Sequence, residues 1–88
     1  MSNNRAIGIL GAGAWGTTIA QLLSKKNSNV LLWAKEVQVK KDIEETRVNK
    51  TFLDKVKLNK SLKITNSLKD LDKIEVLFIV VPTQYIQA

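Results

Sequence analysis

The sequence contains no cysteine and no histidine. Disulfide bridges, thiolate nucleophiles and imidazole bases are therefore excluded, as are zinc sites built from Cys and His. No apolar run approaches the roughly 18 residues that a membrane-spanning helix needs, and the opening "MSNNR" leads into a strand rather than a signal peptide. We expect a cytoplasmic chain with no membrane span and no metal site.

Aromatic residues are also scarce, with two Trp, two Phe and one Tyr among 88 residues. Fourteen Lys and Arg outnumber eight Asp and Glu, which leaves a net charge of +6. This charge suits an anionic partner, but the lysines are scattered and no aromatic residues interleave with them. We therefore predict a solvated, lysine-rich surface and no nucleic-acid interface.

Short apolar segments alternate with helical patterns along the chain. Strands are predicted at 6–10, 29–33, 62–65 and 76–81, the last as a central strand because all six of its residues are apolar. Helices are predicted after the first two strands, from about 14 to 26 and from 36 to about 49, and a short helical turn at 67–71. This order predicts an α/β fold, a Rossmann-like parallel sheet with helices on both faces, truncated to about its first four strands.

Local patterns add detail to these elements. The first helix has apolar residues at the spacing of one buried face, and Asn27 is suited to a left-handed cap at its end. Glu36 and Lys40 have the spacing of an ion pair in the second helix. The alternation at 62–65 predicts an edge strand with Lys63 and Thr65 on its wet face. Ser67 and Asp70 have the spacing of a capping box. The apolar face of the first helix comprises Trp15, Ile19, Leu22 and Leu23.

Three glycines, Gly11, Gly13 and Gly16, form a G-x-G-x-x-G pattern between the first predicted strand and helix. In this context Gly11 allows the tight turn, Gly13 lets backbone approach a pyrophosphate, and Gly16 lets the helix lie close to the sheet. The free amides and the positive end of the helix dipole then face the phosphates. A P-loop is excluded because Gly-Lys-Ser/Thr is missing. The pattern predicts a dinucleotide site.

The residues at the end of the second strand bear on cofactor choice. In such folds the side chain that contacts the adenosine ribose lies about 20 residues beyond the glycines, which points to Lys35 and Glu36. Lysine favours the 2′-phosphate of NADP, whereas the carboxylate of Glu36 accepts a hydrogen bond from the free 2′-hydroxyl of NAD and repels a phosphate. The sequence therefore leaves both NAD and NADP open as cofactors. It also leaves open that both side chains are simply exposed at the start of a helix and contact no cofactor.

"GAGAWGTTIAQLL", "VLLWAK", "RVNKTFL" and "VLFIVVPTQ" occur in an order and at distances that resemble the N-terminal part of bacterial NAD(P)-dependent glycerol-3-phosphate dehydrogenase. The resemblance implies cofactor contacts at six positions in addition to the glycines. Packing on the helix face is the alternative for Trp15, core packing for Phe52, and strand termination for Pro82. Where Glu36 stands, the family often has a basic residue. The six positions are Ala14, Trp15, Lys35, Glu36, Phe52 and Pro82.

The same resemblance implies reduction of dihydroxyacetone phosphate to sn-glycerol 3-phosphate with NADH or NADPH, for phospholipid synthesis. Residues 1–88 would be the N-terminal part of the NAD(P)-binding domain, with the remaining strands, the helical substrate domain and the family's catalytic lysine beyond Ala88. We therefore assign no catalytic residue and expect this chain alone to be inactive. We also expect an exposed apolar edge at 76–81, which would favour self-association.

Two other functions stay open at this point. The lack of an acid/base constellation suits a non-catalytic dinucleotide-binding module, such as a redox sensor. A different reductase with the same type of glycine loop, such as a ketopantoate reductase, is the other alternative. Trp33 and the Pro82-Thr83-Gln84 run favour glycerol-3-phosphate dehydrogenase over that reductase.

Overall fold

A computed structural model describes residues 5–80 of the chain. The prediction for Pro82 therefore lies outside the described residues. Four short strands, two α-helices and one 3₁₀ turn follow one another in the predicted order. They are β1 (Ile7–Leu10), α1 (Ala14–Ser24), β2 (Val30–Trp33), α2 (Val37–Thr46), β3 (Lys63–Thr65), the 3₁₀ turn (Leu68–Leu71) and β4 (Val76–Ile79).

The strands form one parallel sheet in the order β3-β2-β1-β4. Right-handed crossovers from β1 to β2 and from β2 to β3 place α1 and α2 on the same face. The crossover from β3 to β4 runs the other way, and Ile74 and Leu71 of that segment lie against Gly8 on the opposite face. The predicted parallel α/β sheet is confirmed, with β3 at an edge.

The core lies between the sheet and its two helices. Ile9, Leu32 and Val30 from the strands pack with Val39 and Ile43 of α2, and all five are fully buried. Full burial of such a side chain contributes about 1.5–3 kcal/mol to folding. The core therefore fixes β1 and β2 side by side, and with them the two loops that leave their carboxyl ends.

The buried face of α1 differs from the prediction. Its buried residues are the small Gly16, Thr17, Ala20 and Ser24, whereas Trp15 and Leu22 are exposed. Ile19 and Leu23 are only partly buried against the core. The reason is distance, because a helix that lies very close to a sheet has room only for small side chains at the contact. The apolar spacing thus predicted the helix correctly and its buried face wrongly.

Two predictions about helix ends are also wrong. Asn27 is not left-handed, and its side chain instead accepts a hydrogen bond from the backbone N–H of Asn29 (2.7 Å) and donates one to the carbonyl of Arg5 (3.0 Å). The left-handed residue is Arg47, which ends α2 with φ 60° and donates its backbone N–H to Ile43. Its guanidinium donates to the carbonyls of Asn59 and Leu62, which fixes the loop after the helix.

The predicted ion pair between Glu36 and Lys40 does not form, because α2 begins only at Val37. Lys40 pairs instead with Glu44, with Nζ and Oε2 3.0 Å apart. Glu36 keeps a free carboxylate at the N-cap position. This frees the Glu36 side chain for contacts outside the helix.

β3 and the turn after it also depart from the sequence pattern. Thr65 is buried rather than on a wet face, because its hydroxyl donates to the carboxylate of Asp70 and accepts from the backbone N–H of Ser67. The Asp70 carboxylate thus accepts from Thr65, and the Ser67 side chain makes no cap hydrogen bond. The predicted capping box is therefore wrong, and the Thr65 hydroxyl takes its place.

β4 is not central among the described strands, since it pairs with β1 alone and lies at the edge of the sheet. Three successive apolar side chains on it are exposed, Leu77, Phe78 and Ile79, the last to 65%. The apolar run thus predicted a strand correctly, but among residues 5–80 this strand is an exposed edge strand and not a central one. The exposed apolar edge that the sequence predicted is present.

Candidate functional site

The loops that leave β1 and β2 lie at the same edge of the sheet. Leu10 and Trp33, the last residues of the two strands, are register partners, and the backbone N–H of Gly11 donates to the carbonyl of Trp33 at 3.1 Å. On the other side the N–H of Val80 donates to the carbonyl of Leu10 at 3.0 Å. Ligands of open parallel sheets bind at this carboxyl edge.

Gly11 and Gly16 are held in positions that exclude a side chain. Gly11 has φ 122°, and a Cβ there would lie 2.5 Å from the carbonyl oxygen of Val80. A Cβ on Gly16 would lie 1.7 Å from the carbonyl oxygen of Gly11 and 3.5 Å from Cγ2 of Ile9. Gly16 therefore lets α1 approach both the strand and the turn that precedes the helix.

Gly13 is in a different situation. It is the N-cap of α1, with φ −70°, and a Cβ added to it would meet no heavy atom within 4 Å. Among the described residues, the backbone N–H groups of Gly13, Ala14 and Trp15 have no acceptor. Unpaired amides at the positive end of a helix dipole, beside open space, are suited to phosphate. The residues present therefore fit the pyrophosphate of a dinucleotide.

Two further site residues follow Gly13 at the start of the helix. Ala14 and Trp15 are both exposed, Trp15 to 71%. The alternative interpretation of Trp15 as a residue that packs on the helix face is therefore wrong. A large aromatic side chain beside the free amides leaves its indole face available to a flat ligand.

Lys35 and Glu36 lie at the same edge of the sheet, between the end of β2 and the start of α2. Both side chains are exposed, and neither makes a hydrogen bond or ion pair with another residue of 5–80. The backbone before them is fixed, because the N–H of Ala34 donates to the carbonyl of Thr65 at 2.8 Å. The chain therefore places one cation and one anion next to each other at the edge that carries the glycine turn.

Phe52 lies in the loop after α2 and is 41% exposed, so its interpretation as a core residue is wrong. Its backbone N–H donates to the side-chain oxygen of Asn49 at 3.2 Å. Through Asn49 this loop is attached to the glycine turn. The structure thus brings the segment that carries Phe52 to the same site.

Asn49 is the site residue that the sequence did not reveal. It is fully buried, and its side-chain nitrogen donates to the carbonyl of Ala12 and to the hydroxyl of Thr17, both at 2.8 Å. The Thr17 hydroxyl also donates to the carbonyl of Ala12, at 3.2 Å. An asparagine between a valine and a lysine gives no signal of burial in the sequence, because only the packing of the loop after α2 against α1 encloses it.

Comparison with known proteins agrees with this geometry. Residues 6–88 match a family profile described as the N-terminus of NAD-dependent glycerol-3-phosphate dehydrogenase. Glycerol-3-phosphate dehydrogenase [NAD(P)+] of Novosphingobium aromaticivorans is 45% identical over 80 residues, which are 91% of this chain and 24% of that protein. The corresponding enzyme of Hyphomonas neptunium is 42% identical over 92% of this chain and 24% of its own length.

The crystal structure of glycerol-3-phosphate dehydrogenase from Coxiella burnetii superposes with a TM-score of 0.79 at 36% identity, covering 88% of this chain and 24% of that one. The chain thus spans about a quarter of the length of the relatives it matches. Within residues 5–80, no helix is long and apolar enough to cross a membrane.

The sheet, its helices and the glycine turn are those of a Rossmann-like nucleotide-binding domain. The match over nearly all of the chain is more specific than the fold. The chain belongs to the NAD-dependent glycerol-3-phosphate dehydrogenase family, of which it represents the N-terminal region. The resemblance found in the sequence is thereby confirmed. The predicted cofactor class, NAD or NADP, agrees with the family description, which names NAD, and with the names of the relatives, which give NAD(P)+.

Proposed function

We propose that this chain is the first part of the cofactor-binding domain of a glycerol-3-phosphate dehydrogenase. The whole protein would reduce dihydroxyacetone phosphate to sn-glycerol 3-phosphate with NADH or NADPH, in the cytoplasm and for phospholipid synthesis. The observation that carries the proposal is the start of α1, where free amides border the open space beside Gly13 in a member of this family.

Each site residue has a task in this proposal. The amides of Gly13 and Ala14 bind the pyrophosphate, and the exposed indole of Trp15 lies beside a flat part of the cofactor. Lys35 and Glu36 contact the adenosine ribose, and Phe52 borders the cofactor from the loop after α2. Pro82, outside the described residues, stays a predicted contact.

Binding and catalysis are divided between this chain and the rest of the protein. When bound, the nicotinamide cofactor supplies the hydride. This chain orients that cofactor and fixes its phosphates through backbone amides, which need no reorganisation during the reaction. The substrate and the group that protonates it would be held by the remaining three quarters of the protein. The 88-residue chain alone is therefore expected to bind the cofactor and to lack dehydrogenase activity.

Isothermal titration calorimetry of the 88-residue chain with NADH and NADPH tests the binding half of the proposal. We expect one molecule bound per chain, with no turnover when dihydroxyacetone phosphate is added. The full-length protein, assayed in parallel, is expected to oxidise the reduced cofactor in the presence of dihydroxyacetone phosphate. Failure of both proteins to bind either cofactor would contradict the proposal.

The same pair of assays separates the enzyme from the two other functions considered. A full-length protein that binds NADH without reducing dihydroxyacetone phosphate would support the non-catalytic module. Reduction of another keto substrate in preference would support a different reductase, against which the family match argues.

A further inference from the structure

Asn49 lies outside the glycine motif, and both the nitrogen and the oxygen of its side-chain amide are hydrogen-bonded. Both N–H groups of its amide are donated, one to the carbonyl of Ala12 and one to the hydroxyl of Thr17, and its oxygen accepts from the N–H of Phe52. The carbonyl of Ala12 can only accept and the N–H of Phe52 can only donate, so the amide has one orientation that satisfies both. A fully buried amide with these partners is held in one position and holds its partners in place.

The carbonyl of Ala12 belongs to the same peptide group as the N–H of Gly13. This peptide is trans and planar, so the two groups point in opposite directions. Asn49 and Thr17 hold the carbonyl towards the buried side with hydrogen bonds of 2.8 and 3.2 Å. The N–H of Gly13 must then point away from them, and it has no acceptor among residues 5–80.

We propose that Asn49 is a positioning residue for the phosphate-binding turn. By holding the carbonyl of Ala12 it fixes the peptide that presents the Gly13 amide to an anionic ligand, and it does so without touching that ligand. Through the N–H of Phe52 it also sets the position of the loop that borders the site. This inference rests on the proposed function, because it assumes that the ligand's phosphates lie beside Gly13.

The proposal separates phosphate binding from the rest of the nucleotide. Asn49→Ala is expected to weaken the binding of ADP-ribose to the 88-residue chain by about tenfold or more, since the shorter of the two hydrogen bonds that hold the Ala12 carbonyl is lost. The affinity for adenosine, which has no phosphate, is expected to fall much less. Calorimetry for ADP-ribose and an NMR titration for adenosine, each well below the melting temperature of the variant, measure both.

A second pair of variants covers the case in which Asn49→Ala does not fold. Thr17→Val removes a hydroxyl that both accepts from Asn49 and donates to Ala12, while Thr17→Ser retains it. We expect weaker ADP-ribose binding for the valine variant and near-normal binding for the serine variant. In the ligand-free chain, the NMR signal of the Gly13 amide is expected to shift for valine and not for serine.

Asn59→Ala is the matched control, because Asn59 lies in the same loop and its side chain, within residues 5–80, hydrogen-bonds to Ser61 and not to the glycine turn. It is expected to lower the melting temperature without changing ADP-ribose affinity. If wild-type protein binds ADP-ribose and Asn49→Ala and Thr17→Val bind it equally well, the positioning role is refuted and the proposed function stands. If neither the 88-residue chain nor the full-length protein binds ADP-ribose, the proposed function itself fails.

Discussion

The carbonyl oxygen of Gly11 lies 1.7 Å from the position that a Cβ atom on Gly16 would occupy. The turn and the first turn of α1 are therefore in direct backbone contact. This contact sets the height of the helix above the sheet, and with it the position of the free amides at the start of the helix. The two glycines therefore differ in role. Gly16 lets the helix pack against the turn, whereas Gly13 borders open space and leaves it free of a side chain.

Gly16→Ala is expected to destabilise the chain by about 2 kcal/mol or more, because the atom that the new methyl group meets is backbone and cannot rotate away. Urea denaturation followed by circular dichroism measures the loss. Gly13→Ala is the control, since its Cβ meets nothing within 4 Å and its φ of −70° suits any residue. We expect a loss within about 1 kcal/mol there, as for other changes at an N-cap. Equal losses for the two variants would contradict this assignment.

Substitutions of Gly13 are expected to act on cofactor affinity in order of size. Gly13→Ala should weaken NADH binding and Gly13→Val should weaken it further, by about tenfold or more, because the side chain takes the space that the phosphates need. Calorimetry on folded protein measures both affinities. Wild-type affinity in the valine variant would show that the phosphates lie elsewhere.

Glu36→Gln is expected to raise the affinity for NADPH relative to NADH by several-fold, because it removes a carboxylate that repels the 2′-phosphate and leaves Lys35 beside it. The gain should shrink at high salt, as expected for exposed charges. Parallel titrations with the two cofactors give the ratio. Glu45→Gln, an equal change of charge at an exposed position of α2, is the control and should leave the ratio unchanged.

Self-association through the free edge of β4 is a separate prediction. Leu77, Phe78 and Ile79 are all exposed on that edge strand, which favours pairing with a second copy. Ile79→Lys is expected to reduce the association seen by sedimentation velocity as the concentration is raised. Leu22→Lys, at an exposed apolar residue of α1, is the control. A wild-type chain that stays monomeric at high concentration would rule out the prediction.

The parallel sheet and the glycine turn were predictable from the sequence because their signals are local. Short apolar runs indicate the strands, and Gly11, Gly13 and Gly16 form a recognisable pattern within six residues, although the space at Gly11 is also limited by the carbonyl of Val80. The position of Lys35 and Glu36 at the end of β2 followed from the same counting. These features could be predicted without knowing the tertiary contacts between the helices, strands and loops.

The features that the sequence did not reveal depend on tertiary contacts. Trp15 has the spacing of a buried helical position, but the close approach of α1 reserves that contact for small residues. Thr65 alternates like an exposed residue, but it is buried and its hydroxyl donates a hydrogen bond to Asp70. Asn49 is polar and isolated in the sequence, and only the docking of its loop buries it. The cytoplasmic location and the inactivity of the 88-residue chain stay predictions.

The hydrogen bond between Asn49 and Ala12 joins residues 37 positions apart. Contacts inside the glycine turn can form as soon as the turn exists, whereas this bond must wait until the second strand and helix have closed a long loop. During synthesis, the turn therefore leaves the ribosome well before the residue that completes it. The position of the Ala12 carbonyl, at the start of the first helix, thus depends on a residue that the chain supplies only after its second helix.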